Sequence, residues 1–217
     1  MSLARLLSYA WPVRVARVEG HFGPLDLVWE YGRLVVNGAR SNQSFGSLHR
    51  VWQEVLRRVF STAPVPRSVL LLGFGGGSSA HILRKDRRYN GPITGVDIDP
   101  VMLQLARDRF GAEGLPGLEL VQADALDFVA VQRTTYDLVL VDLFNDLDLA
   151  PGVDEAAFLR DLHPITAPGG HLLFNTVAYH APSRERSERI GLGLRQLFNR
   201  VEPMRCEGQN VVFIAGR

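Results

Sequence analysis

Four glycines in five positions end an apolar run in Leu70-Leu71-Leu72-Gly73-Phe74-Gly75-Gly76-Gly77-Ser78-Ser79. Glycine turns the backbone tightly and lets it approach a ligand with no Cβ in the way. The N–H groups that open the following helix point into the same space, so such a loop can lay a nucleotide-like ligand on bare backbone. Asp97 follows Gly73 by 24 residues, in Gly95-Val96-Asp97-Ile98-Asp99-Pro100. A carboxylate there accepts hydrogen bonds from both hydroxyls of a ribose. Asp99, followed by Pro100, reads as a helix N-cap ahead of an N1 proline. Asp124, within Gln122-Ala123-Asp124-Ala125-Leu126, either accepts from an adenine amino group or caps the helix behind it. Asp142 closes the apolar run that starts at Tyr136. At a strand end it takes a proton from a nucleophile or orients it, or it ties down a neighbouring loop.

One other glycine chemistry is excluded and a second is only partly matched. No Gly-Lys-Ser/Thr follows the run, so it is not a P-loop. The dinucleotide fingerprint places glycines at its first, third and sixth positions, which here are Gly73, Gly75 and Ser78, so the last is missing. The six histidines show no metal-ligand spacing, and no metal is expected. His81, a turn beyond Gly77, reads as a helix residue.

These groups need elements to place them. Val13 to Val36 reads as short strands with turns at Tyr31-Gly32 and Asn37-Gly38. Apolar residues at 48, 51, 52, 55, 56, 59 and 60 have helical spacing, with Ser47 as N-cap. From residue 68 strands and helices alternate. Strands are predicted at 68–74, 92–98, 118–123, 136–144 and 169–177, and helices at 78–88, 100–110, after Asp124, 154–163 and 184–200. Two strands joined through Gly208 end the chain. The alternation predicts an α/β fold: a Rossmann-like, doubly wound, mostly parallel sheet with a C-terminal antiparallel hairpin strand and a small N-terminal β-hairpin region. The expected division is 1–45 for the hairpin region, 46–66 for a linking helix and connection, and 67–217 for the ligand-binding domain.

Bulk properties narrow the function. The 217 residues carry 24 basic and 23 acidic side chains, a net charge of +1 that argues against nucleic acid as a partner. No apolar run approaches the ~20 residues of a membrane span, and the N-terminus reads as neither signal peptide nor anchor. The lone Cys206 excludes an internal disulfide and fits a reducing cytoplasm. The hairpins are too small to stand alone. They are expected to pack on the main domain, and a homodimer is compatible with their apolar and tryptophan content.

Together these residues resemble the class I S-adenosylmethionine-dependent methyltransferases, and more narrowly the spermidine synthase-like branch. The glycine loop is similar to the family's glycine motif, Gly95–Met102 to its ribose-binding acid and following helix, and Tyr136–Phe144 to the strand carrying its catalytic aspartate. The stretch from Leu34 to Leu56 resembles the N-terminal hairpin and linking helix of aminopropyltransferases. The resemblance implies S-adenosylmethionine, or decarboxylated S-adenosylmethionine, as cofactor. It implies Gly73, Phe74, Gly75, Gly77, Ser78, Asp97, Ile98, Asp124 and Ala125 as cofactor-binding residues, Asp142 as catalytic, and Gln43, Trp52, Glu54 and Asn145 around the acceptor.

The departures from that branch carry information. Its Asp after the glycines is Ser78 here, its Tyr-His-Glu is Trp52-Gln53-Glu54, and its Gln after the hairpin falls on Ser41, with Gln43 near. Its Asp-x-x-Asp-Pro becomes Asp142-Leu143-Phe144-Asn145-Asp146, with Asp146, Asp148 and Asp154 as available acids. A buried polycation needs paired carboxylates. Decarboxylated cofactor ends in an amine that wants an anion beside it, whereas the intact cofactor brings a carboxylate that an Asp would repel and Ser78 would not. The expectation is therefore methyl transfer to a small-molecule acceptor. Polyamine aminopropyl transfer is the alternative, and a non-catalytic nucleoside-binding or interaction protein is the third.

Overall fold

In the computed structural model, Val69–Leu72, the strand leading into the glycine loop, is buried at all four positions, as a parallel strand covered on both faces must be. The structure describes residues 2–38, 42–44, 47–145, 148–206 and 208–217, with the side chains of 42–44 and 47 outside that description. The N-terminal part runs α1 (Leu3–Leu7), β1 (Val13–Gly20), β2 (Gly23–Glu30), β3 (Arg33–Asn37), β4 (Asn42–Ser44) and α2 (Ser47–Thr62). Then follow β5 (Val69–Leu72), α3 (Ser78–His81), β6 (Ile93–Asp97), α4 (Pro100–Phe110), β7 (Leu118–Gln122), α5 (Ala125–Val131) and β8 (Tyr136–Val141). A short hairpin, β9 (Phe144–Asn145) with β10 (Asp148–Leu149), precedes α6 (Ala156–Ile165) and β11 (Thr166–Val177). The chain ends with α7 (Ala181–Leu197), β12 (Arg200–Arg205) and β13 (Asn210–Gly216).

Seven strands form the main sheet in the order β12-β13-β11-β8-β5-β6-β7. All neighbours are parallel except β13, which is antiparallel to β11 and β12 and sits one in from the edge. Alternate residues of one strand serve opposite layers. Leu70 and Leu72 join Val139, Val141, Leu172 and Phe174 under α5, α6 and α7. Val69 and Leu71 join Leu138, Leu140 and Leu173 under α2 and α4. Helix α2 presents Val51, Trp52, Val55, Leu56 and Val59, all buried, as one helical stripe. Each such side chain contributes about 1.5–3 kcal/mol on burial. The four-stranded antiparallel sheet β1-β2-β3-β4 packs Leu25, Leu27 and Val36 on Met102 and Leu105 of α4. Among the described residues no helix is long and apolar enough to cross a membrane.

The strand order turns around at β5, which has β6 on one side and β8 on the other. A ligand crevice is expected at the carboxyl ends of strands flanking such a point. Two glycines are dictated by close approach there. Gly73 has φ +84°, and a Cβ on it would overlap the backbone carbonyl of Asp142. Gly95 leaves its face of β6 open for the Phe74 ring, which a Cβ would strike.

Several boundaries differ from the sequence reading. Ser47 is the first residue of α2 and not a cap ahead of it, since the apolar period cannot register an extra polar position. The helix expected over 78–88 is α3 continuing into a π-helical turn, Ile82–Asp86. There Arg84 donates to the carbonyls of Tyr89, Gly91 and Pro116, gathering the loop around its guanidinium. Strand β8 stops at Val141, because the chain leaves the sheet at Asp142 to build the β9–β10 hairpin. Helix α6 starts at Ala156 and not at 154, since Asp154 is committed to Arg186 at 2.6 Å and Arg189 at 2.8 Å.

Candidate functional site

Asp97 ends β6 with both carboxylate oxygens already engaged. Gly75 N–H donates to Oδ2 at 2.7 Å and Asp99 N–H to Oδ1 at 3.0 Å. Each oxygen retains a lone pair for a further donor. Burial pushes this carboxyl up, and the amides of Asp99 and Gly75 pull it partly back. Asp99 is buried and spent on structure. Its Oδ1 accepts from Val101 and Met102, capping α4, and its Oδ2 accepts from the backbone N–H of His21 at 2.9 Å. One carboxylate thus ties the N-terminal hairpin to the helix that follows Asp97.

The glycine loop does not work through bare amides. Gly73 and Phe74 both donate to the Val96 carbonyl at 3.0 Å, Gly75 donates to Asp97, and Gly77 donates to the Phe74 carbonyl at 3.0 Å. The loop satisfies these amides itself, as buried backbone must be. What its glycines provide is absent side-chain volume and positive φ, +84°, +56° and +88° at Gly73, Gly75 and Gly77. Ser78, which is buried, places its Oγ 2.5 Å from Nδ1 of His49 on α2. Burial holds the His49 imidazole below its usual range, so it is neutral at pH 7.

Asp124 caps α5 by accepting from Leu126 N–H at 2.7 Å, and it also lines the cleft. Asp142 lies just beyond β8. Its Oδ2 accepts from the Trp52 indole at 2.7 Å and its Oδ1 from the Asn175 amide at 2.8 Å. Burial pushes its carboxyl up to about 6, against the pull of those two bonds.

These groups wall one cleft of about 1060 Å³ at the carboxyl ends of the strands. That is at the top of the ~300–1,000 Å³ range of ligand pockets. The cleft brings together Gly73, Phe74, Gly75, Ser78, Asp97, Ile98, Asp124, Ala125, Asp142 and Asn145 of the sequence-predicted set. Its described lining holds five aspartates, the four above and Asp148, and no Lys or Arg.

Three predicted residues stand elsewhere. Gly77 supports the turn from behind and does not line the cleft. Trp52 is fully buried on the inward stripe of α2 and, among the described residues, reaches the site through Asp142. Glu54 lies away from the cleft, near Cys206, where burial and then the Glu54 charge push the thiol up to about 11. The Gln43 side chain, Ser41 and Asp146 lie outside the described residues. His81 bonds the Phe110 carbonyl and joins α3 to the end of α4.

The sequence reading passed over residues that the fold brings in. His21 and Phe22, at the β1–β2 turn, line the cleft, as does Asn210 of β13. The available signals were an aromatic pair at a turn and an Asn opening an apolar strand.

A methyltransferase-domain family model matches residues 69–170. Among curated proteins, the polyamine aminopropyltransferase of Chromobacterium violaceum is 31% identical over 111 residues, covering 51% of this chain and 42% of that protein. The human eEF1A lysine and N-terminal methyltransferase is 28% identical, covering 67% of this chain and 22% of its own. The matched stretch thus spans less than half the length of either relative. Among solved structures, a probable spermidine synthase from Corynebacterium glutamicum superposes with TM-score 0.73 at 16% identity, covering 93% of this chain and 80% of that one. A spermidine synthase in complex with the transition-state analogue AdoDATO gives TM-score 0.78 at 13% identity, covering 94% and 73%. The chain has a class I S-adenosylmethionine-dependent methyltransferase-like fold of the spermidine synthase type.

Proposed function

We propose that this chain is an S-adenosylmethionine-dependent methyltransferase acting on a small-molecule acceptor. The observation that carries the reading is the charge of the cleft wall. Carboxylates stand at the ends of β6, β7 and β8, and no cation lines the described cleft. A polyphosphate ligand would be repelled there, whereas an adenosyl sulfonium is itself a cation and finds acceptors. The relatives, methyltransferases and aminopropyltransferases, agree with a group transfer of this kind.

The free lone pairs of Asp97 hold the ribose hydroxyls. The uncommitted oxygen of Asp124 accepts from the adenine amino group, with Ile98, Ala125 and Phe74 as apolar lining. Gly73, Gly75 and Ser78 make room for the methionine portion, with Gly77 shaping the turn beneath. The neutral Ser78–His49 pair stands where an Asp would be needed to hold a decarboxylated cofactor's ammonium, and it does not repel a carboxylate. When bound, S-adenosylmethionine supplies a methyl group on sulfonium sulfur; the acceptor's lone pair forms the new bond to carbon as the carbon–sulfur pair returns to sulfur. Asp142 takes the proton that the acceptor atom loses. The surrounding apolar wall, with Leu143, Phe144 and Leu149, keeps water from competing.

The same cation-free lining favours one second reading, aminopropyl transfer to a polyamine, with Asp142 and Asp148 facing the positive acceptor. Mass spectrometry after incubation with either cofactor and an amine panel including putrescine separates the two. Methylated product with S-adenosylhomocysteine is expected; aminopropylated product from the decarboxylated cofactor would overturn the first reading.

A further inference from the structure

Asp142 is the end of a hydrogen-bonded chain that crosses three strands' ends. Asn210, on β13 at the cleft wall, donates its amide N–H to Asn175 Oδ1 at 3.0 Å. Asn175, on β11 and fully buried, donates to Asp142 Oδ1 at 2.8 Å, while Trp52 holds the other oxygen at 2.7 Å. Chemistry dictates the polarity of this chain. An ionised carboxylate only accepts, so Asn175 must turn its NH₂ to Asp142 and its oxygen to Asn210. Asn210 reinforces that orientation from the other side, because turning the Asn175 amide over would also set its NH₂ against the Asn210 donor.

We infer that Asn175, with Asn210 reinforcing its amide orientation, and Trp52 are positioning residues that hold the Asp142 carboxylate toward the cleft, its donors among the described residues both being neutral. This rests on the reading of Asp142 as the group that takes the acceptor's proton. Two neutral donors hold the anion with no counter-ion among the described residues, so it remains basic enough to accept a proton near neutral pH. The other titratable groups on the described cleft wall are Asp97, Asp99, Asp124, Asp148 and His21.

The Trp52 indole N–H touches Asp142 directly and reports its protonation. The chain has three tryptophans, so a ¹⁵N–¹H spectrum shows three indole signals, and Trp52→Phe identifies the relevant one. In wild type this signal is expected to titrate in one step that Asp142→Asn abolishes. Asn175→Val is expected to raise the midpoint by at least one pH unit, a tenfold change in proton affinity, because a bond to the charged form is lost. Asn210→Ala, a milder change at the cleft wall, is expected to move it in the same direction by less. Unchanged midpoints in both variants, or a wild-type signal that does not titrate, would overturn the inference. The titration needs no turnover, so absence of transferase activity would sink the functional reading while leaving this result to stand or fall separately.

Discussion

Asp142→Asn should make the protein more stable as pH rises, relative to wild type. Burial lifts the Asp142 carboxyl from 3.8 to about 6 in the folded chain. Between those values the native state binds more protons than the unfolded state, so wild-type stability falls with rising pH. The contribution is fully favourable below about 3.8 and lost once pH passes 6. A gap of about two pH units at 1.36 kcal/mol each amounts to about 3 kcal/mol. The variant carries no ionisation at this position. It does set an NH₂ group against one of the donors from Trp52 and Asn175, a cost of about 1–3 kcal/mol that does not vary with pH. Urea unfolding of both proteins from pH 4 to 7.5 isolates the effect, because all other titrations cancel in the difference. The variant's stability minus that of wild type should climb by about 2–3 kcal/mol across the range. A flat difference would refute the claim that burial, uncompensated by a counter-ion among the described residues, lifts the Asp142 carboxyl.

Two further substitutions probe the rest of the site. Asp99→Ala removes the cap of α4 and the bond to His21 N–H; it should cost about 2 kcal/mol and, at about 2–4 °C per kcal/mol for a chain of this size, lower Tm by about 4–8 °C. Proteolysis of the same variant should cut the N-terminal hairpins faster than the main sheet. Ser78→Asp places a carboxylate at the cleft beside His49, and competition binding should show S-adenosylmethionine weakened at least tenfold relative to its decarboxylated form; equal changes for both would contradict the assignment of that corner to the methionine portion.

Much of this architecture was readable because parallel strands buried on both faces leave apolar runs, as in Val69–Leu72 and Tyr136–Val141, and glycines and acids gather at their ends. The Asp99-Pro100 start of α4 is a local signal, and the helix runs over the expected residues 100–110. What resisted reading depends on contacts distant in sequence. Trp52 looked like an acceptor-site residue by its place in a motif, yet its helical period with Val51, Val55, Leu56 and Val59 turns it inward, and Glu54 away from the cleft. Which loop amides are spent follows from how residues 73–75 meet the end of β6, which no local pattern encodes. His21 enters through a hairpin folding back 78 residues onto Asp99. Asn175 and Asn210 did leave a trace, since a polar side chain in a buried strand requires a partner, but the sequence does not say which.

Isothermal calorimetry of wild type and Asp97→Ala with S-adenosylmethionine, S-adenosylhomocysteine and decarboxylated S-adenosylmethionine decides whether this cleft takes up an adenosyl sulfonium through Asp97. One-to-one uptake of S-adenosylmethionine by wild type is expected, with at least tenfold weaker binding by the variant, from loss of acceptors for the ribose. A folded wild-type protein that takes up none of the three nucleosides would contradict it.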